Sequence, residues 1–511
     1  MINDNIFREY DIRGIYNKDL TDEEAYIIGR GFGSYIKKMN EDITIVGHDN
    51  RISSPSLSAN LIKGINDSGV HVIDLGLVTT PMYYYSKIFY KINTGIMVTA
   101  SHNPAIYNGF KISFKREQNA YGDKIIEFRD FVKKQEFLSG RGNVLKKEIK
   151  EDYINLLVNS VKINKRMKIV VDCGNGTGSI IIKDVLDRLN VEYKLINCES
   201  DGNFPVHDPD PSVNKNMSEL VDIVKLLKYD LGIGIDGDAD RVGLVSSSCE
   251  IIKTDYYLII MYRNLLKTIN NRRALFDVKC SRSLIDELDK LNIEKTMYRT
   301  GNSYINMKMQ EGNYLFGGEY SGHIYFRDRF PGFDDGIYAG LRMLELLSNN
   351  NSTIDKELEG INRYFSTEEI KVNSDDVKKF EIVEKVKELA RGILDGMKSA
   401  LGIHSPSKLF KDEVGRFIPQ GVAVGIEADT DSALKAIDNM NDDIISEMNK
   451  AVAYETGSIN AKASVKSNNS MLNVIQASIS LDGSVEIEGQ KAGKILTPYI
   501  TKTLRTGGAT W

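Results

Sequence analysis

The stretch Leu231-Gly232-Ile233-Gly234-Ile235-Asp236-Gly237-Asp238-Ala239-Asp240-Arg241 sets an apolar run against a loop with a carboxylate at every second residue. A short apolar run bounded by polar residues reads as a buried strand. Three carboxylates just past its end, with only Gly and Ala between them, can converge on one hard cation. Octahedral oxygen coordination suits Mg²⁺. An EF-hand fails here, because its glycine position holds Arg241 and its twelfth position holds Ser247 rather than Glu. A solvated acidic loop is the competing account, although such carboxylates repel one another without a counter-ion.

Working outward, residues 42–47, 70–75, 95–98, 168–172 and 274–278 read as further short strands rich in Val and Ile. Amphipathic helical stretches, such as 153–161, 180–189 and 217–227, lie between several of them. Alternation of this kind predicts an α/β chain with parallel or mixed sheets covered by helices. Ligands then collect at the carboxyl ends of the strands. The run Asn349-Asn350-Asn351-Ser352-Thr353 reads as an exposed connection. A helical pattern follows over about 378–400.

Three further loops end such strands. Thr99-Ala100-Ser101-His102-Asn103-Pro104, with Lys111 downstream, offers a hydroxyl, an imidazole and an amine for nucleophilic or phosphate-carrying chemistry. An Asn-Pro turn capped by serine explains it as well. In Gly317-Gly318-Glu319-Tyr320-Ser321-Gly322-His323, an extended backbone would put Glu319, Ser321 and His323 on one face, suited to sugar hydroxyls. A polar turn is the alternative. Cys173-Gly174-Asn175-Gly176-Thr177-Gly178 has Ser179 where a dinucleotide fingerprint needs glycine, so tight strand-to-helix packing is the better reading.

Composition narrows the classes. The chain has 511 residues, 41% hydrophobic and 27% charged, which allows three or four globular domains. Its net charge of −5 supplies no global basic field for nucleic acid or an anionic membrane. No apolar run approaches the ~18 residues of a membrane helix, and no secretory leader is visible. The four cysteines form no CxxC pair, which fits free thiols in a reducing cytoplasm. A soluble, cytoplasmic protein is expected. Only Phe410, Phe417, Tyr454, Tyr499 and Trp511 among the aromatic residues lie beyond residue 390. Aromatic side chains supply much of a core's buried area, so the two parts do not share one kind of core.

The ordered set Phe7-Arg8-Glu9-Tyr10-Asp11-Ile12-Arg13-Gly14, the Ser101 loop, the Asp236 loop and the Glu319 turn closely resembles the α-D-phosphohexomutases, particularly the phosphomannomutase/phosphoglucomutase group. Gly47-His48-Asp49-Asn50-Arg51, Asp208-Pro209-Asp210-Pro211-Ser212, Asp277-Val278-Lys279-Cys280-Ser281 and Asp334-Asp335-Gly336-Ile337-Tyr338 add to it. The resemblance runs from residue 1 to about 385. It implies three consecutive α/β domains: a phosphoserine-loop domain (1–145), a metal-binding domain (150–250) and a sugar-binding domain (251–368). Residues 369–390 would be a remnant of a fourth domain or a linker.

By the same resemblance, Ser101 is a phosphoserine that exchanges its phosphoryl group with a hexose phosphate. Hexose 1,6-bisphosphate serves as intermediate and activator. Asp236, Asp238 and Asp240, with an oxygen on Ser101, would hold one Mg²⁺. Arg13, Lys111 and Arg241 would offset developing negative charge, and Lys111 or His102 would move the hydroxyl proton. Tyr10, Lys279, Asn302, Glu319, Ser321 and His323 would face the sugar phosphate.

Two departures stand out. The family pattern Arg-Thr-Gly-His-Ser is here Arg299-Thr300-Gly301-Asn302-Ser303, and an amide cannot accept a proton near neutral pH. No Ser/Asn-rich, arginine-containing phosphate loop of the family's fourth domain is found after residue 385. Instead, Leu401-Gly402-Ile403-His404-Ser405-Pro406-Ser407-Lys408-Leu409-Phe410, Gly421-Val422-Ala423-Val424-Gly425-Ile426 and Gly493-Lys494-Ile495-Leu496-Thr497-Pro498-Tyr499 resemble phage tail tape-measure proteins. Residues 391–511 are thus expected to be a helical and extended segment unlike the family's fourth domain, joined near residues 385–392. A mutase with a replaced fourth domain, and a phage tail protein carrying a sugar-phosphate-binding passenger with tail components as partners, are the two functions this implies.

Overall fold

The computed structural model describes residues 2–364 apart from 117–118, 266 and 268–269, together with residue 385 and the backbone of 463–465 and 477–479. Two compact units divide the chain, Met1–Asn362 and Arg363–Trp511.

The first unit is built on three sheets. In the first, β1 (Ile12–Ile15), β2 (Ile43–His48), β3 (His71–Leu77), β4 (Gly95–Val98), β5 (Tyr107–Ser113) and β6 (Val144–Lys146) lie in the order β1-β5-β4-β2-β3-β6. β2 pairs in parallel with β3 and β4, whereas β4 and β5 run antiparallel. The second sheet takes β7 (Met167–Asp172), β8 (Val191–Ile196), β9 (Leu231–Ile235), β10 (Val242–Ser246) and β11 (Ile251–Ile252) in the order β11-β10-β9-β7-β8. β12 (Arg273–Asp277), β13 (Glu294–Tyr298), β14 (Phe316–Gly318) and β15 (Ile324–Phe326) form the third, in the order β13-β12-β14-β15. These are the mixed α/β sheets that the alternation predicts.

Local chemistry sets the helix ends. Thr21 and Glu24 close a capping box on the helix Asp22–Lys37, satisfying two otherwise orphan N–H groups. The strands are aliphatic because both faces are covered: β4 and β9 are buried at every residue. One apolar core runs through the second and third sheets and one face of the first, from Ile45 and Met97 through Val171 and Ile233 to Phe276 and Tyr338. A second core, with Phe32, Phe110 and Phe128, fills the other face of the first sheet. The helix Gly336–Asn350 follows the third sheet in sequence yet packs back on the second, with Gly340 against Ile233.

Several expectations need correction. Residues 319–322 are a tight turn between β14 and β15, closed by the Gly322 N–H donating to the Glu319 carbonyl at 3.0 Å. Gly322 has φ +98°, where a side chain would be strained, and an added Cβ would sit 2.7 Å from the Val242 carbonyl oxygen. The alternation of Glu319, Ser321 and His323 therefore does not put them on one extended face. Residues 349–353 are not all connection. The helix continues through Asn350, Asn351 caps it in the left-handed region, and Thr353 caps the short helix Ile354–Glu357. The stretch 180–189 breaks into a 3₁₀ turn, Thr177–Ile180, and a short helix, Ile182–Asp187.

In the second unit, β16 (Ala463–Val465) and β17 (Ala477–Ile479) pair antiparallel. The helical pattern over 378–400, the segment 369–390 except residue 385, the join near 385–392 and the phage-tail-like motifs lie outside the described residues.

Candidate active site

β4 delivers Ser101 from its carboxyl end, as the sequence implies. Ser101 is buried and sits at φ +51°, a left-handed conformation that serine adopts only when its surroundings impose it. The Thr99 hydroxyl holds its N–H at 2.9 Å. The larger restraint is Arg51, whose side chain is wholly buried. Its terminal nitrogens donate to four carbonyls of the loop: Ser101 at 2.6 Å, Asn103 at 2.7 Å, Pro104 at 2.7 Å and Tyr107 at 3.1 Å. Asp49 offsets its charge through Nε at 3.1 Å. Planar donors in a fixed fork suit this task, which a lysine could not perform.

β9 delivers the acidic loop. Asp236, Asp238 and Asp240 are wholly buried, each with a carboxylate oxygen within 4.8 Å of the others. Ser101 Oγ donates to Asp236 at 3.1 Å. Lys111, from β5, reaches Asp238 at 2.7 Å and Asp240 at 2.5 Å, and the Thr80 hydroxyl donates to Asp238 at 2.6 Å. One oxygen each of Asp238 and Asp240 is buried with no hydrogen-bond partner among the described residues. Orphaned carboxylate oxygens in a dry site are what a cation would satisfy.

The charges act on one another. Burial, then the neighbouring Asp240 and Asp238, pushes the Asp236 carboxyl well above its ordinary range. Burial opposes ionisation of Asp238 as well, but Lys111 wins and holds it low. For Lys111, burial is likewise outweighed by Asp238 and Asp240, so its ammonium is held well above its usual range.

The acidic loop is fixed through its backbone. Thr177 donates its N–H (2.8 Å) and hydroxyl (3.1 Å) to the Gly237 carbonyl. Gly237 itself has no room for a side chain: a Cβ would lie 2.7 Å from the Ser101 carbonyl oxygen. The Cys173–Gly178 loop thus backs onto the acidic loop, beyond joining strand to helix. From the other side, the Val242 N–H donates to Gly322 at 3.1 Å and the Gly336 N–H to Ala239 at 3.0 Å.

Around this pair of loops the remaining sequence candidates fall in two groups. His102 Nδ1 lies 3.3 Å from Ser101 Oγ. Burial, then the Arg241 and Arg13 charges, holds its imidazole well below the usual range, so it stands neutral and is a weak base near pH 7. Arg13 donates to Asn103 (2.9 Å) and Asp11 (2.5 Å). Arg241 Nε donates to His323 Nε2 at 2.9 Å and lies 3.9 Å from Asp236 and Asp240. The other face of His323 meets Asp334 at 2.7 Å, and the Asn302 amide donates to the same carboxylate at 3.3 Å.

The second group includes the Glu319 turn. Glu319 is buried, accepting from the Gly301 N–H at 2.6 Å and the Tyr325 hydroxyl at 3.2 Å, and burial pushes its carboxyl up to about 7. Ser321 is half-buried in the turn, and Lys279 is half-buried beyond the end of β12. Tyr10, 39% exposed, stands in the field of Asp11, Arg13, Arg241 and Glu319.

Arg51, Thr80, Thr177 and Asp334 take part in this arrangement and were not among the sequence candidates. Arg51 and Asp334 lie in motifs that carry the family resemblance; Thr80 has no such signal.

Comparison with known proteins matches residues 4–138, 151–248 and 253–364 to the phosphoglucomutase/phosphomannomutase alpha/beta/alpha domains I, II and III. The phosphomannomutase/phosphoglucomutase of Pseudomonas syringae pv. tomato is 39% identical over 388 residues, covering 76% of this chain and 83% of that protein. The phosphoglucomutase of Neisseria meningitidis serogroup A is 35% identical over 441 residues, covering 85% of this chain and 95% of its own length. That similarity is long enough to reach past residue 390. A crystal structure of a phosphoglucomutase/phosphomannomutase family protein from Burkholderia thailandensis superposes with a TM-score of 0.70 at 33% identity, over 75% of this chain and 85% of that one. With three successive domains matched in order and the serine, acidic and Glu319 loops gathered in one place, this chain belongs to the phosphoglucomutase/phosphomannomutase family.

Proposed function

We propose that this chain is a phosphohexomutase, interconverting hexose 1-phosphate and hexose 6-phosphate through a phosphoryl group carried on Ser101. The observation that carries this reading is Ser101 Oγ, 3.1 Å from Asp236, beside buried carboxylates with unpartnered oxygens. A sugar hydroxyl oxygen attacks the phosphorus in line, the bond to Ser101 Oγ breaks, and a bisphosphorylated sugar forms. After the sugar turns over, Ser101 Oγ attacks its other phosphate and the product leaves. Such a transfer asks the protein chiefly for alignment and charge neutralisation.

Asp236, Asp238, Asp240 and an oxygen on Ser101 would hold Mg²⁺, which draws negative charge off the transferring group. Arg13, Lys111 and Arg241 add positive charge from the protein. Lys111, tied to two carboxylates, is suited to charge rather than to proton transfer. His102, 3.3 Å from Ser101 Oγ, is placed by geometry to accept the proton, with a basicity that burial and the neighbouring arginines reduce. Asn302 keeps a hydrogen bond to Asp334 but moves no proton, which leaves His102 and His323 as the imidazoles of the site. Tyr10, Lys279, Glu319, Ser321 and His323 would bind the sugar phosphate, with the Glu319 turn recognising hydroxyls common to several hexoses.

The reading extends to the tail. On the expectation that residues 391–511 carry no fourth-domain phosphate loop, the phosphate remote from the reaction would lose charge-assisted hydrogen bonds worth ~1.5–3 kcal/mol each. Weak substrate affinity and early loss of the bisphosphate follow. A phage-tail passenger role is less well supported, because a passenger has no need of Ser101, Lys111 and three aligned aspartates together.

One experiment tests the whole reading. Intact mass with and without phosphatase reads phosphate on Ser101, and a coupled assay with glucose 1-phosphate and catalytic glucose 1,6-bisphosphate reads turnover. We expect a phosphorylated chain, activity that falls to background in Ser101→Ala, and a KM raised about tenfold or more over full-length family members. Turnover unaffected by Ser101→Ala overturns the mechanism; ordinary rates at low substrate overturn the tail argument.

A further inference from the structure

Parallel strands β7 and β8 end in register, Asp172 beside Ile196, and each is followed within two residues by a cysteine. Cys173 Sγ and Cys198 Sγ are 2.9 Å apart, and both residues are free thiols. The sulfurs need to close by less than 1 Å to reach a disulfide's ~2.05 Å. Their surroundings differ: Cys173 is wholly buried, whereas Cys198 is half-buried and within reach of solvent. An accessible sulfur with a buried one in contact is the arrangement of an oxidisable cysteine with its resolving partner.

The pair also touches the acidic loop through a short path. Gly176 N–H donates to the Cys173 carbonyl at 2.8 Å, and Asn175 N–H to Asn197 at 2.7 Å, so the turn hangs between the two cysteine-bearing strand ends. One residue further on, Thr177 holds the Gly237 carbonyl between Asp236 and Asp238.

We propose that Cys173 and Cys198 are a redox modification site, closed to an intramolecular disulfide by a hydroperoxide, and that closure loosens the Asp236–Asp240 loop. The Cys198 thiolate attacks one peroxide oxygen, forming the S–O bond of a sulfenic acid as the O–O bond breaks and hydroxide leaves to take a proton as water. Cys173 sulfur then attacks Cys198 sulfur; the S–S bond forms, the S–O bond breaks, and the hydroxide leaves with the Cys173 proton as a second water. Both sulfurs are oxidised and one peroxide is reduced. Burial and the hydrogen bond from Cys198 keep Cys173 a thiol until that moment.

The test uses the full chain treated with one equivalent of hydrogen peroxide. Peptide mapping should find Cys173 joined to Cys198, with two hydrogens lost from the intact mass and regained with dithiothreitol. The Cys173→Ser variant should instead stop at sulfenic or sulfinic acid on Cys198, and Cys198→Ser should not react at either position. Amide hydrogen exchange over 236–240 should quicken about threefold or more in oxidised wild type and stay unchanged in Cys198→Ser. Sulfinic acid on Cys198 of the wild type with Cys173 still reduced overturns the pair. A crosslink with unchanged exchange overturns its coupling to the acidic loop. Both readouts are independent of mutase turnover, so they succeed or fail apart from the proposed activity.

Discussion

The serine loop and the acidic loop meet at Gly237, yet they are held in opposite ways. Arg51 grips the serine loop by four carbonyls from one buried side chain. The acidic loop has no such clamp among the described residues; its peptide groups are pinned by Thr177 on one side and by Gly322 and Gly336 on the other. The difference matches what each loop must keep free. On the proposed mechanism, a serine that gains and loses a phosphoryl group needs a backbone indifferent to its side chain. Carboxylates that would take a cation, as proposed, benefit from a loop held chiefly through its peptide groups, with only Asp236 accepting a loop N–H, that of Arg241 at 3.0 Å.

The comparison can be broken at three points. The largest effect should come from Arg51→Met, which takes the donor from four loop carbonyls, that of Ser101 buried, and leaves Asp49 buried without its ion partner. Removing one partner of a buried pair costs ~3–5 kcal/mol, read as a lower urea midpoint. Adding Asp49→Asn should recover part of the loss; no recovery would show that the carbonyl clamp, not the charge, carries the stability. Gly237→Ala comes next. Its Cβ would crowd the Ser101 carbonyl oxygen at 2.7 Å and the Pro209 ring at 3.1 Å, a strain of ~1–3 kcal/mol. Cation binding, followed by Mn²⁺ titration, should weaken in this variant and hold in Arg51→Met if the loops are supported separately.

The third test sharpens the docking of the acidic loop. Asp335 begins the helix that places the Gly336 N–H on Ala239, and it accepts from the Tyr338 N–H at 2.8 Å and from the Tyr153 hydroxyl. Burial pushes its carboxyl from 3.8 up to about 7. The folded chain therefore binds this proton more tightly than the unfolded one. That contribution makes stability fall as pH rises from about 4 to 7, then level off. Asp335→Asn keeps the cap but lacks the slope. Its urea midpoint relative to wild type should rise across that window; a flat difference would show that Asp335 is ionised throughout.

What the sequence revealed depends on how local the cause is. β4 and β9 were legible to the residue, because an apolar run bounded by polar loops is a short-range signal. The Ser101 and Asp236 loops followed, since they begin where those strands end. Glu319–His323 misled because alternation says nothing about pairing, whereas Gly322, with the φ that closes the turn, was the better sign. The role of Arg51 could not be read from spacing: its partners lie 50 to 56 residues away. Thr80 and Asp238 are 158 residues apart and share no pattern. Helix ends at Asn350 and Thr353 turned on which polar residue caps and which connects, a choice made by φ rather than by residue type.

The acidic loop's attachments also impose an order on the ribosome. The first sheet completes at β6, after Ser101 and Lys111, and the second completes at β11. Yet the peptide groups that dock on residues 239–242 belong to Gly322 and Gly336. Until about residue 336 has been translated and released, three neighbouring carboxylates face Lys111 without their last backbone support. Domains fold as units during synthesis, but this one loop waits for its neighbour, so the acidic cluster is among the last things the nascent unit completes.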